Sequence, residues 1–192
     1  GFSLLITVGL LLPTLTLLGW VFDGIERGLG FGSPWKALGH TLVAALLGAL
    51  LTLVLTWMPA WASGRGQIGG KTLEQGIFLT SALPGVLLAL GLMQAALALS
   101  RAMGGGAVYH ALLGSGVLLM LGYASRFAAE VFAPLRTSVL SLDPRLLESA
   151  RLLGATSTKR FNHVVLPSVA PGVAIAFLLG FVAILKELPV TL

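Results

Sequence analysis

Five apolar runs, at residues 2–22, 38–62, 76–100, 108–127 and 166–185, take up most of this chain and leave few places for charge. Each holds about the 20 residues that carry an α-helix across ~30 Å of hydrocarbon at ~1.5 Å per residue. Hydrophobic residues make up 56% of the sequence and charged residues 10%, which is too little polar surface to cover a soluble globule of 192 residues. The expected fold is therefore all-α: a polytopic transmembrane helical bundle of about five spans. The first run has no basic stretch before it and no convincing cleavage site, so it reads as a retained helix and not as a signal peptide. Zero cysteines exclude disulfides, thiolate metal ligands and cysteine nucleophiles.

Lysine and arginine set the expected orientation. The long connection from Arg126 to His163 carries six basic residues (Arg126, Arg136, Arg145, Arg151, Lys159, Arg160) against three acids (Glu130, Asp143, Glu148). Residues 62–75 add Arg65 and Lys71. Both connections are expected on the cytoplasmic side, with the less basic turns at 23–37 and 101–107 outside. Arg126 and Glu130, one helical turn apart, are expected to pair at the cytoplasmic membrane surface. The net charge of +5 follows from this topology. No basic stripe with interleaved aromatics points to nucleic acid.

Inside the basic connection, Asp143-Pro144 is a helix start: aspartate accepts early backbone N–H bonds, and proline at the first helical position has no N–H to leave unpaired. Gly154 ends that helix. Leu146, Leu147, Ala150 and Leu153 gather on one face of it, apart from Arg145, Glu148 and Arg151, and at about ten residues, or ~15 Å, it is too short to span. Thr156-Ser157-Thr158 caps a second short helix that leads to Leu166-Pro167, where the fifth span begins. Residues 143–163 thus form a compact projection whose apolar face is buried either on a partner subunit or on the chain's own helix ends. Small residues recur at four-residue steps in three spans (Ala44, Gly48, Thr52, Thr56; Ser81, Gly85, Ala89; Gly172, Ala176, Gly180), where they let helix backbones approach closely. Pro13 and Pro84 lie inside spans, where the carbonyls they free must be satisfied by neighbouring helices or water.

Other patterns are read and set aside. The loop from Gly64 to Thr72 is not a phosphate-binding loop, because the position that requires the first glycine is Arg65 and the preceding segment is a membrane helix. It reads as a flexible connection with basic anchors. His40, His110 and His163 lie on separate segments without ligand spacing, and no arrangement of nucleophile, base or paired carboxylates suggests catalysis. Lys186 and Glu187 stand nineteen residues beyond Pro167, ~28 Å of helix, near the far end of the fifth span. Charges at that depth either reach back to the interface or line an aqueous path.

One string carries a resemblance. Glu148-Ser149-Ala150, three residues, Gly154, nine residues, then Val164-Val165-Leu166-Pro167 resembles the EAA signature of permease subunits of binding-protein-dependent (type I) ABC importers, departing at Ser149 and Val164. Lys186-Glu187-Leu188-Pro189-Val190-Thr191-Leu192 is similar to a string of the ferric-iron permease group, departing at Val190, and the 123–140 stretch is similar too. The resemblance implies a type I permease fold in one transmembrane domain, residues 1–192, set in the cytoplasmic membrane of a prokaryote. It implies an ATPase-coupling loop built from Glu148, Ser149, Ala150, Gly154, Leu166 and Pro167, and a translocation path touched by Lys186 and Glu187. The implied partners are an ATP-binding cassette ATPase dimer, a homologous permease half, fused or separate, and an extracytoplasmic solute-binding protein. No cofactor is implied, and ATP hydrolysis resides on the partner chain. The chain resembles the second half of a fused pair without its last helix. The implied cargo is ferric iron, with thiamine, phosphonate or another anion as alternatives. A secondary transporter or channel with Lys186 and Glu187 in an ion path is the reading from a different class, but it calls for charges near the middle of the bilayer, and the sequence shows almost none.

Overall fold

The computed structural model describes residues 2–27, 34–103, 110, 114 and 116–187, all of them in helices or the turns between helices. The chain divides into two compact units, residues 1–39 and residues 40–192. The first holds α1 (Phe2–Glu26), a single helix with Pro13 inside it. Hydroxyls there fold back on the helix, Thr14 donating to the Leu10 carbonyl at 2.6 Å and Thr16 to that of Leu12 at 2.9 Å.

Helix α2 (Pro34–Gly64) runs on into the second unit. It is followed by α3 (Gly70–Ala82), α4 (Gly85–Ala102), α5 (Val117–Arg126), α6 (Ala128–Leu140), α7 (Pro144–Leu152) and α8 (Ser157–Arg160). A π-helical turn, Phe161–Val165, joins α8 to α9 (Leu166–Leu185). Among the described residues, four segments are each long and apolar enough to cross a membrane: Thr7–Glu26, Leu38–Gly64, Gly85–Ala102 and Ser157–Leu185. A fifth crossing takes α5 and α6 together, a pair bent by 56°.

Small side chains set the spacing of the bundle. Along α2, Ala45, Gly48, Ala49, Thr52, Thr56 and Ala60 are buried. The threonine hydroxyls donate within the helix, Thr52 to Gly48 O and Thr56 to Thr52 O, both at 2.7 Å, so two polar groups enter the core already satisfied. A β-carbon at Gly48 would meet Ile184 at 3.0 Å and Tyr123 at 3.1 Å, and one at Gly180 would meet Val131 at 2.6 Å. Two of the three small-residue stripes thus serve packing within this chain. Ser81, Gly85 and Ala89 are only half-buried. Helices α6 and α9 pack along their length, with Val131, Phe132, Leu135 and Ala176 in one cluster and Val139, Leu142, Val165 and Val169 in the next.

Three expectations are corrected. The third span is not continuous: Leu83-Pro84 breaks it into α3 and α4, since proline has no N–H for the helix ladder and holds the preceding residue extended, here at ψ 138°. The fourth does not end at Phe127, and its expected first residues lie partly outside the described ones. After the bend it continues as α6, burying Ala128, Val131, Phe132, Leu135 and Val139 on one face of a segment read as cytoplasmic connection. Arg126 stands at the bend, separated from α7 by the thirteen residues of α6, ~20 Å. It does not pair with Glu130. Its Nη1 donates to the Ser81 carbonyl at 2.6 Å, which belongs to the last turn of α3 and is freed by the break. The second short helix leads, as expected, to a span that begins at Leu166, and a π turn joins the two into one helical segment, Ser157–Leu185. The turn accommodates Pro167, which can neither donate to nor sit easily beside the carbonyl four residues back; Leu166 N–H instead reaches Phe161 O.

Candidate functional site

Helix α7 is built as its ends dictate. Asp143 Oδ1 accepts from the Arg145 N–H at 2.9 Å, and Pro144 takes the first turn. At the other end Gly154 adopts φ +77°, its N–H reaching Arg151 O at 3.0 Å while Ala155 N–H reaches Ala150 O at 3.0 Å. This pair of bonds is the Schellman closure, and it satisfies two carbonyls the helix would otherwise leave open. Thr156 then caps α8, accepting from Lys159 N–H at 3.4 Å.

The apolar residues of α7 do not share one environment. Leu147 turns inward and packs on Val139, Leu142, Val165 and Val169, the base of α6 and α9. Leu152 and Leu153 point away from the chain, 88% and 86% exposed, and Leu146 is half exposed. Glu148, Ser149 and Gly154 are exposed, and Ala150 is half-buried. Of the two expected fates, folding back on the chain's own helix ends is seen for Leu147, which anchors the projection, and the remaining leucines are uncovered. Of the residues singled out by spacing, 148–154 lie together on α7 and at its end. Leu166 and Pro167 stand apart at the start of α9, both exposed.

A polar cluster at the same end of the bundle escaped the sequence reading. Arg136 Nε lies 3.1 Å from Glu74 Oε2 and donates to Ser63 Oγ at 2.8 Å, while Ser63 donates to Glu74. It ties together the end of α2, the start of α3 and the second half of α6. The only local signal is that Glu74 is the single acid in the basic 62–75 connection. That connection is not a loose one: Gln67 N–H bonds Ala62 O at 2.8 Å, Gly66 and Gly69 take positive φ, and a β-carbon at Gly70 would fall 2.7 Å from Ala62 O. Arg65 stacks over Trp61 and donates to Leu142 O at 3.3 Å, which brings both basic connections to one end.

At the far end of α9, Lys186 follows the last turn and is exposed. Glu187 is half-buried, its N–H bonded to Ile184 O at 3.0 Å. With His40, Thr41, Ala44, Leu119, Tyr123, Ile184 and Leu185 it lines a recess of about 270 Å³. Residues 188–192 of the same string lie outside the described ones. Among the described residues no group of three or more histidine, aspartate or glutamate side chains could hold a metal ion.

Residues 53–192 match the protein family described as "Binding-protein-dependent transport system inner membrane component". The chain is 25% identical over its whole length to the Fe(3+)-transport system permease protein FbpB 2 of Haemophilus influenzae, of which it covers 37%. It is 39% identical over 98 residues, 46% of the chain and 18% of the relative, to a thiamine transport system permease protein of Salmonella typhimurium. A spermidine/putrescine transport system permease protein of Escherichia coli, PotC, is 24% identical over the whole chain and 74% covered by it.

Proposed function

The chain belongs to the family of binding-protein-dependent transport system inner membrane components, and from that premise we propose that residues 1–192 act as one transmembrane permease domain of a type I ABC importer. It is a multi-pass protein of the cytoplasmic membrane. In our reading the 143–163 projection faces the cytoplasm and docks on an ATPase dimer, which hydrolyses ATP while this chain moves solute. A homologous permease half completes the pore, and a solute-binding protein delivers cargo from outside.

The observation that carries this reading is the exposure of Leu146, Leu152 and Leu153 on a helix whose two ends are fully capped. A water-facing helix of nine residues gains nothing from such leucines, whereas burying each against a partner is worth about 1.5–3 kcal/mol. Through Leu147, α7 bears on the base of α6 and α9, so a displacement of α7 is delivered to two helices locked together by close glycine contacts. If the ATPase holds α7 differently before and after it closes, that difference in contact free energy biases the helices between outward and inward access.

Ferric iron is the cargo we propose, supported by the 186–192 string and by one relative; other relatives are named for thiamine and for spermidine and putrescine. The docking claim is tested with the double variant Leu152→Ser, Leu153→Ser. We expect it to insert and keep the parent's thermal midpoint, yet lose the ATPase on purification and lose uptake. Retention of both the ATPase and uptake would overturn the docking role.

A further inference from the structure

We propose that the recess beside Glu187 is a passage site for cations: it admits a hydrated metal ion or a small organic ammonium and rejects anions. This rests on the permease reading and deepens it, because it chooses a charge class of cargo. Among the described residues the Glu187 carboxylate takes part in no ion pair and no side-chain hydrogen bond. Its charge faces a recess with no fixed cation among the described residues, so a mobile cation is the counter-charge left to it. The cations nearest in sequence do not supply the partner. Lys186 turns to the exposed side, and Arg126, three residues after Tyr123, is committed to the Ser81 carbonyl and lies over the Phe127 ring.

The rest of the lining points the same way. Tyr123 brings a phenol oxygen, Thr41 a hydroxyl and His40 an imidazole, set against the apolar walls of Ala44, Leu119, Ile184 and Leu185. Among the described residues no lysine or arginine lines the recess. Oxygen and imidazole acceptors with one negative charge suit a cation and offer a phosphonate or carboxylate no counter-charge. At ~30 Å³ per water, about 270 Å³ holds about nine waters, enough for an ion with its first hydration shell. With a single carboxylate, and no metal-holding cluster of three ligands among the described residues, the recess is built for transit and not for tight retention.

The test reads the local potential directly and needs neither cargo nor coupling. The sequence contains no cysteine. In the membrane-embedded complex, Ala44→Cys is reacted with a trimethylammonium-ethyl and with a sulfonato-ethyl methanethiosulfonate. Each rate is normalised to that reagent's rate with a free thiol in solution. We expect the normalised rate of the cationic reagent to exceed that of the anionic one by tenfold or more, and Glu187→Gln to bring the ratio near one. Leu119→Cys serves as an independent reporter if Ala44→Cys impairs insertion. A ratio near one in Ala44→Cys with Glu187 intact, a preference for the anion, a ratio that Glu187→Gln leaves unchanged, or reaction with neither reagent would each overturn the proposal. Loss of ATPase copurification would instead defeat the permease reading and leave these ratios unaffected.

Discussion

Gly154 and Glu148 do different work although they belong to the same signature. Gly154 sits at φ +77°, where a β-carbon crowds the following carbonyl at a cost of about 1–2 kcal/mol, so Gly154→Leu opens the Schellman closure and frees the end of α7. Uptake and ATPase stimulation should fall sharply with Leu and largely survive with Asn, which tolerates that conformation; equal activity of both variants would remove the geometric explanation. Glu148 is exposed and takes part in no ion pair among the described residues. Glu148→Arg should therefore leave the thermal midpoint of the purified membrane protein unchanged and still abolish coupled uptake. A lowered midpoint would show that Glu148 serves the fold. Gly180 is the opposite case, since a side chain there meets Val131 inside the α6–α9 contact. Gly180→Val should destabilise by about 1–3 kcal/mol, read as a lower midpoint, before any question of coupling arises.

At the scale of elements, the sequence is legible where one local rule decides and illegible where two distant segments must meet. Apolar runs of twenty residues dictate spans because lipid offers no partner for an unpaired backbone. Asp143-Pro144 and Gly154 dictate the limits of α7 to within a residue. Helix α6 is masked in the sequence because Glu130 and Arg136 weigh heavily in a charge count, while its apolar positions 128, 131, 132, 135 and 139 recur at helical spacing on the other side. The bend at Phe127 has no proline to announce it. Nor does the sequence show that Arg126 spans forty-five residues to reach Ser81, or that Arg136 reaches Ser63 and Glu74. Arg126 bridges the two interrupted spans, so Arg126→Met should strand the Ser81 carbonyl and cost about 1–3 kcal/mol. The expected outcome is a lower midpoint in detergent, with Arg126→Lys intermediate; a Met variant as stable as the parent would mean that water serves that carbonyl as well.

For the second unit as a whole, the contacts fix which loops share an end, and the distribution of charge predicts which side that end faces. Arg65 on Leu142 O and Arg136 on Glu74 gather the 62–75 turn and the 143–163 projection at one end. The recess of Glu187 lies beyond the twenty residues of α9, ~30 Å away along the helix axis. Lysine and arginine concentrate at the first end: Arg65, Lys71, Arg136, Arg145, Arg151, Lys159 and Arg160. Translocating such loops is unfavourable, so this end should remain cytoplasmic even though Arg126 drops out of the count. Helix α4, eighteen residues or ~27 Å from Gly85, should carry Met103 to the opposite face. Single cysteines at Thr158, at the fully exposed Ile68 and at Met103 report all three points in a background that has none. With an impermeant maleimide, intact cells should label Met103→Cys alone, and inverted vesicles should label Thr158→Cys and Ile68→Cys alone. Because Ile68 and Thr158 are bound to one end by the Arg65 and Arg136 contacts, their labelling on opposite sides would contradict the packing itself. Labelling of both from outside would instead keep the packing and reverse the orientation, and with it the docking of α7 on a cytoplasmic ATPase.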